Sequence, residues 1–145
     1  MPAKTSVLLA EQSQDLVEII TSTLKGTGIV DEIHVVQDGE EALEFIFRQG
    51  KYASGEGMTR PSLILLDVKL PKENGISVLR KIKSSPEFRS IPVVMLSSSE
   101  SPVDIQSSYA EGANSYVIKP ARFNDLMDRV ERVVNYWIQT NALPD

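Results

Sequence analysis

Short aliphatic or β-branched runs recur along the chain at Ser6–Ala10, 33–36, Leu63–Leu66, 93–96 and 116–118, and each is followed by a segment with helical spacing. That alternation predicts five strand–helix units. Leu63-Ile64-Leu65-Leu66 and Val93-Val94-Met95-Leu96 are apolar on both faces, the pattern of central parallel strands covered by helices on each side. Right-handed crossovers then make an open parallel sheet with helices on both faces. In such a sheet ligands bind beyond the carboxyl ends of the strands, near the switch point in strand order.

The helices carry end signals. Leu16, Ile19, Ile20 and Leu24 mark the first, with Gly26 and Gly28 as its stop, and Asp38-Gly39-Glu40-Glu41 reads as an N-cap opening a helix that runs towards Arg48. Ile76, Leu79 and Ile82 mark the third, before Pro86, and the fourth runs from near Pro102 to Gly112. Phe123, Leu126, Val130, Val133, Val134 and Trp137 form a long stripe at three- and four-residue spacing, the last helix. Residues 50–61, with Gly50, Gly55 and Gly57, read as a surface insertion. The Glu40, Glu41 and Glu44 cluster reads as a solvated helix face.

At the ends of strands one, three, four and five stand polar groups that a core does not need: Glu11 with Gln12, then Asp67, Ser97, and Lys119 before Pro120. A carboxylate directly after Leu63-Ile64-Leu65-Leu66 is costly to desolvate unless charge is supplied nearby. Lys119 supplies a cation, and Ser97 a hydroxyl able to donate or accept. A carboxylate nucleophile, a cation for transferred phosphoryl oxygens and a hydroxyl to sense them are the parts that phosphoryl chemistry requires. Taken singly, Asp67 and Lys119 read better as a structural ion pair and Ser97 as a turn residue.

Composition narrows the choice. With 145 residues, 41% hydrophobic and 24% charged, the chain fits one soluble domain spanning 1–145, with a C-terminal helix, a short tail and no output domain. The absence of Cys excludes disulfide scaffolds and thiolate metal sites and suits a cytoplasmic location. Twenty acidic residues against fifteen basic ones, net charge −5, argue against nucleic-acid binding, and no segment is long and apolar enough to address a membrane. His34 is the only histidine, and no G-x-S-x-G surrounds Ser97, so hydrolase chemistry is dismissed.

Three motifs, in order and at matching intervals, give a specific resemblance. Asp67-Val68-Lys69-Leu70-Pro71-Lys72-Glu73-Asn74-Gly75, Ile91-Pro92-Val93-Val94-Met95-Leu96-Ser97-Ser98 and Gly112-Ala113-Asn114-Ser115-Tyr116-Val117-Ile118-Lys119-Pro120 resemble the response-regulator receiver family, the CheY-like phosphoacceptors, over nearly the whole chain. The resemblance implies an α/β, flavodoxin-like (βα)5 fold, with five parallel strands in order 2-1-3-4-5. It implies Asp67 as phosphoacceptor, Lys119 as phosphoryl partner, Ser97 as switch hydroxyl and Tyr116 as aromatic switch. It further implies Mg²⁺ held by Glu11, Asp67 and the Lys69 backbone carbonyl, and a cis bond before Pro120.

The insertion and the tail around Trp137 place the chain nearest the single-domain regulators that partner phytochrome-type histidine kinases. The implied partners are a sensor histidine kinase and a downstream protein or phosphocarrier. A homodimer through the fourth-helix, fifth-strand and fifth-helix face is also expected, because Tyr136, Trp137 and Ile138 cannot all turn inward. Two departures stand out. Gln12 occupies a position where the family has a metal-binding Asp, and Lys69 brings a cation towards the pocket, so Mg²⁺ is expected to bind weakly. The rival reading that these departures support is a pseudo-receiver, an interaction module with weak or no phosphorylation. A flavin-binding electron carrier ranks third, since no phosphate-cradling loop follows the first strand.

Overall fold

Backbone hydrogen bonding in the computed structural model, which describes residues 4–55 and 58–144, builds the sheet from the inside outward. β1 (Ser6–Ala10) and β3 (Leu63–Leu66) are buried at every position, as is β4 (Val93–Ser97). β2 (Glu32–Val36) and β5 (Ser115–Ile118) are only partly buried and form the edges. All pairings are parallel and the order is β2-β1-β3-β4-β5, as expected. Gly57 of the expected insertion lies outside the described residues.

Strand alternation divides the core in two. Leu8, Ala10, Val36, Ile64, Leu66, Val93 and Met95 face α2 (Gly39–Phe47) and α3 (Gly75–Lys83). Val7, Leu9, Leu63, Leu65, Val94 and Leu96 face α1 (Gln14–Thr27) and α5 (Phe123–Val134). α4 (Pro102–Ala110) lies alongside β5. Among the described residues no helix is long and apolar enough to cross a membrane.

Caps fix where each helix leaves its loop. Ser13, Asp38 and Asn74 accept the amides of Leu16, Glu41 and Ser77 at 3.4, 2.7 and 3.0 Å. α1 continues through Gly26 and stops at Gly28, whose φ of 72° is the left-handed conformation that glycine adopts without strain. Glu41 is not the solvated residue that its cluster suggested. Its carboxylate accepts the Gln37 amide at 3.0 Å and the Tyr52 hydroxyl at 2.9 Å, and meets Lys51 at 2.6 Å. Burial works against that charge, but these three donors outweigh it and hold Glu41 below the usual carboxylate range. The start of the insertion, a 3₁₀ turn over Gly50–Tyr52, is thereby fastened to α2. His34 sits on edge strand β2, 3.5 Å from Glu32.

The C-terminal stripe departs from simple helical spacing. α5 ends at Val134, and a π-helical turn over Asn135–Thr140 follows, closed by the Asn141 amide on the Tyr136 carbonyl at 2.6 Å. The wider turn brings both Trp137 and Ile138 against the α1/α5 side of the core, and leaves Tyr136 49% exposed.

Candidate functional site

The loops that follow β1, β3, β4 and β5 meet at one end of the sheet. Glu11 and Asp67 are the next rungs of the parallel ladders: the Glu11 amide donates to Val36 and the Asp67 amide to Ala10, at 3.0 and 3.2 Å. Lys119 likewise donates its amide to the Ser97 carbonyl at 2.8 Å. Each functional side chain thus leaves a backbone already held by sheet hydrogen bonds, which makes the site rigid at its base. Gly75 completes it: a Cβ there would lie 1.9 Å from the Asp67 carbonyl oxygen, so only glycine lets α3 start this close to the acidic loop.

Glu11, Asp67 and Lys119 come together as expected. Lys119 Nζ lies 2.6 Å from Glu11 Oε1 and 2.9 Å from Asp67 Oδ2, with side chains only 4%, 4% and 9% exposed for Lys119, Glu11 and Asp67. Burial alone pulls an ammonium towards neutrality, but the charge of Asp67 and the hydrogen bonds and charge of Glu11 outweigh it and raise Lys119 above its ordinary value of 10.5. The second carboxylate oxygens meet weaker donors. Glu11 Oε2 accepts the Ser13 amide at 3.0 Å and Asp67 Oδ1 accepts the Lys69 amide at 3.3 Å.

Two buried carboxylates against one ammonium leave the pocket one negative charge in excess. That excess and the oxygen donor set fit a hard divalent cation, which takes one or two carboxylates and completes its shell with water or phosphate oxygens. Lys69 presents a backbone carbonyl that accepts no hydrogen bond among the described residues. Gln12, next to Glu11, is exposed. Among the described residues no third acidic, His or Cys side chain joins the pair to form a metal cluster.

Ser97 is fully buried, and its Oγ accepts the Ser99 amide at 3.2 Å. Its own proton meets no acceptor among the described residues. Tyr116 donates its hydroxyl to the Ser99 carbonyl at 2.8 Å, so Ser97 and Tyr116 are joined through one residue. Ser99 was not singled out from sequence, and in a run of three serines nothing marks it.

Two expectations are corrected. The Lys119–Pro120 bond is trans, since the described residues contain no cis peptide bond. Trans is the isomer that an X–Pro bond favours by about 0.5–1 kcal/mol, and Lys119 reaches both carboxylates from it. The Lys69 ammonium does not enter the pocket: it is 73% exposed and lies 3.4 Å from Asp104 on α4. Asp104 was also passed over, because an acid in the first turn of a helix is explained by the helix dipole alone.

Comparison with known proteins agrees with this geometry. The family model described as "Response regulator receiver domain" matches residues 7–131. The response regulator Rcp1 of Synechocystis sp. is 37% identical over 138 residues, 95% of this chain and 92% of that protein. Among solved structures, the phosphorylated cyanobacterial phytochrome response regulator RcpA superposes with a TM-score of 0.92 at 36% identity, covering 99% of this chain and all of the other. The Mn²⁺-bound form of Rcp1 superposes with a TM-score of 0.89 at 35% identity, covering 97% and 99%. With a family match over most of its length and relatives this similar across nearly all of it, the chain belongs to the response-regulator receiver domain family.

Proposed function

We propose that this receiver is a phosphoacceptor switch: a histidine kinase transfers a phosphoryl group to Asp67, and the change is read by another protein at an altered binding face. The observation that carries the reading is the buried Glu11–Lys119–Asp67 triad, in which one Asp67 oxygen is bound by Lys119 and the other, among the described residues, only by a long amide contact. Asp67 Oδ1 attacks the phosphorus of the phosphohistidine as the P–N bond breaks, and the bond pair leaves with the imidazole nitrogen. Lys119 balances charge on the transferred oxygens. The Ser97 hydroxyl, whose proton meets no acceptor among the described residues, donates to one of them.

Glu11, Asp67 and the Lys69 carbonyl would hold Mg²⁺, with Gln12 a weakened fourth position. The ion would neutralise charge on the phosphoryl group. A movement of Ser97 carries Ser99, and with it the hydrogen bond to Tyr116. The relation to RcpA, a cyanobacterial phytochrome response regulator, supports a phytochrome-type kinase as donor, and the phosphorylated form in which RcpA was solved supports phosphorylation.

Incubation with acetyl phosphate and Mg²⁺, followed by intact mass, tests the reading. One phosphoryl adduct is expected on the wild type and none on Asp67→Asn. A wild type without adduct supports the pseudo-receiver, and an undiminished adduct on Asp67→Asn moves the acceptor elsewhere. The reading includes a homodimer through α4, β5 and α5, where Val103 and Tyr109 of α4 are 70% and 50% exposed and Tyr136, in the turn that follows α5, is 49% exposed. A dimeric mass in light scattering of the phosphorylated protein is the expected result, and a monomeric mass at high concentration, with and without phosphorylation, removes the dimer.

A further inference from the structure

α4 is weakly seated. Of its nine residues only Ser108 is buried, whereas every other α-helix buries three or more. Its fastenings on the α3 side are ionic and sit at its two ends. Past its C-terminus, Glu111 Oε1 lies 3.1 Å from Arg80 Nε of α3. In its first turn, Asp104 Oδ2 accepts the Ser99 hydroxyl at 2.5 Å and lies 3.4 Å from Lys69 Nζ. A groove of about 330 Å³ opens between these two ion pairs.

Asp104 is therefore where both halves of the site converge. Lys69 reaches it from the acidic loop, and the Lys69 amide donates to Asp67 Oδ1 at 3.3 Å. Ser99 reaches it from the other side, bound to Ser97 by its amide and to Tyr116 by its carbonyl. The Ser99 hydroxyl, opposed by burial and aided by the Lys69 charge, holds Asp104 below the usual carboxylate range, so it stays charged at neutral pH.

We infer that Lys69 and Asp104 form a charge latch: in the unphosphorylated protein the pair ties the first turn of α4 to the acidic loop, and a phosphoryl group on Asp67 draws the Lys69 ammonium away and releases that turn. The inference rests on the reading of Asp67 as phosphoacceptor. Phosphorylated Asp67 carries about −1.5 to −2 charges and three phosphoryl oxygens in place of its single carboxylate charge, and so outweighs the single charge of Asp104. Lys69 has a flexible four-carbon stem, is anchored two residues from Asp67 and is mostly in solvent, so changing partners needs no movement of the core. The surface so released carries the exposed Val103.

The test is amide hydrogen exchange across residues 99–110 in the wild type, Lys69→Met, Asp104→Asn and the double variant, before and after acetyl phosphate with Mg²⁺, with intact mass recorded for each. Asp104→Asn keeps an acceptor for Ser99 and removes only the charge. Phosphorylation of the wild type is expected to speed exchange in the first turn of α4 by about 1.4- to fivefold, the span of an exposed ion pair. Each single variant is expected to exchange at the faster rate already, to gain nothing on phosphorylation, and to match the double variant. If phosphorylation loosens α4 through Ser97 alone, Lys69→Met responds as fully as the wild type and the latch is wrong. A wild-type adduct with unchanged exchange also overturns the latch, leaving the phosphoacceptor intact. A wild type that takes up no phosphoryl group overturns the phosphoacceptor reading and the latch with it.

Discussion

Lys119→Met is expected to destabilise the protein by about 3–5 kcal/mol at neutral pH, the cost of removing one partner from a buried charge pair and leaving the other uncompensated. Here two carboxylates are left, since Glu11 and Asp67 both bond the same Nζ and are 4% and 9% exposed. Two like charges in a dry site are relieved by taking up a proton. Through the mildly acidic range the folded variant therefore binds more protons than its unfolded chain, and its stability falls as pH rises. In the wild type Lys119 lies above its ordinary value of 10.5, so its contribution is complete below about 10.5 and is lost only as pH rises through the folded value. The two proteins should thus diverge from mild acid upward. Urea unfolding at a series of pH values checks this, and saturating Mg²⁺ should restore part of the variant's loss. A variant whose profile runs parallel to the wild type, less than about 1 kcal/mol below it, would mean that Lys119 is not what balances the pair.

How far this site was legible from sequence differs from residue to residue. The apolar runs of β1, β3 and β4 were plain because central parallel strands must be apolar on both faces, and the residue after each run had to stand at the sheet's carboxyl end. Asp67 and Lys119 were found by that placement before any resemblance was used. Strand ends were read short: β2 begins at Glu32 and β4 continues through Ser97, since ladder hydrogen bonds are made by backbone whatever the side chain. The π turn after α5 was hidden because Val134, Trp137 and Ile138 fit an ordinary helix at three- and four-residue spacing. Lys69 was misdirected for a different reason. Its nearness to Asp67 is local and visible, whereas its pairing with Asp104 is made across two loops and depends on where α4 comes to rest.

Gln12→Asp is expected to tighten Mg²⁺ binding by about tenfold or more. A unit charge about 4 Å from a divalent ion is worth ~2 kcal/mol even in water, and desolvation of the new carboxylate takes back part of that. The position is exposed and follows Glu11 directly, so an Asp there adds charge to the pocket's mouth without burying it. Lys119 already occupies one oxygen of each existing carboxylate, so the wild-type site offers a divalent ion a net charge of only −1. Acceptance from acetyl phosphate should quicken in step with metal binding. Lys69→Asn should change affinity far less, because the Lys69 ammonium is already paired with Asp104 outside the pocket. Titration of intrinsic fluorescence or calorimetry with Mg²⁺ distinguishes the two substitutions. Equal affinity for Gln12→Asp and wild type would show that position 12 does not limit the site, and a larger gain from Lys69→Asn than from Gln12→Asp would return the Lys69 cation to the pocket.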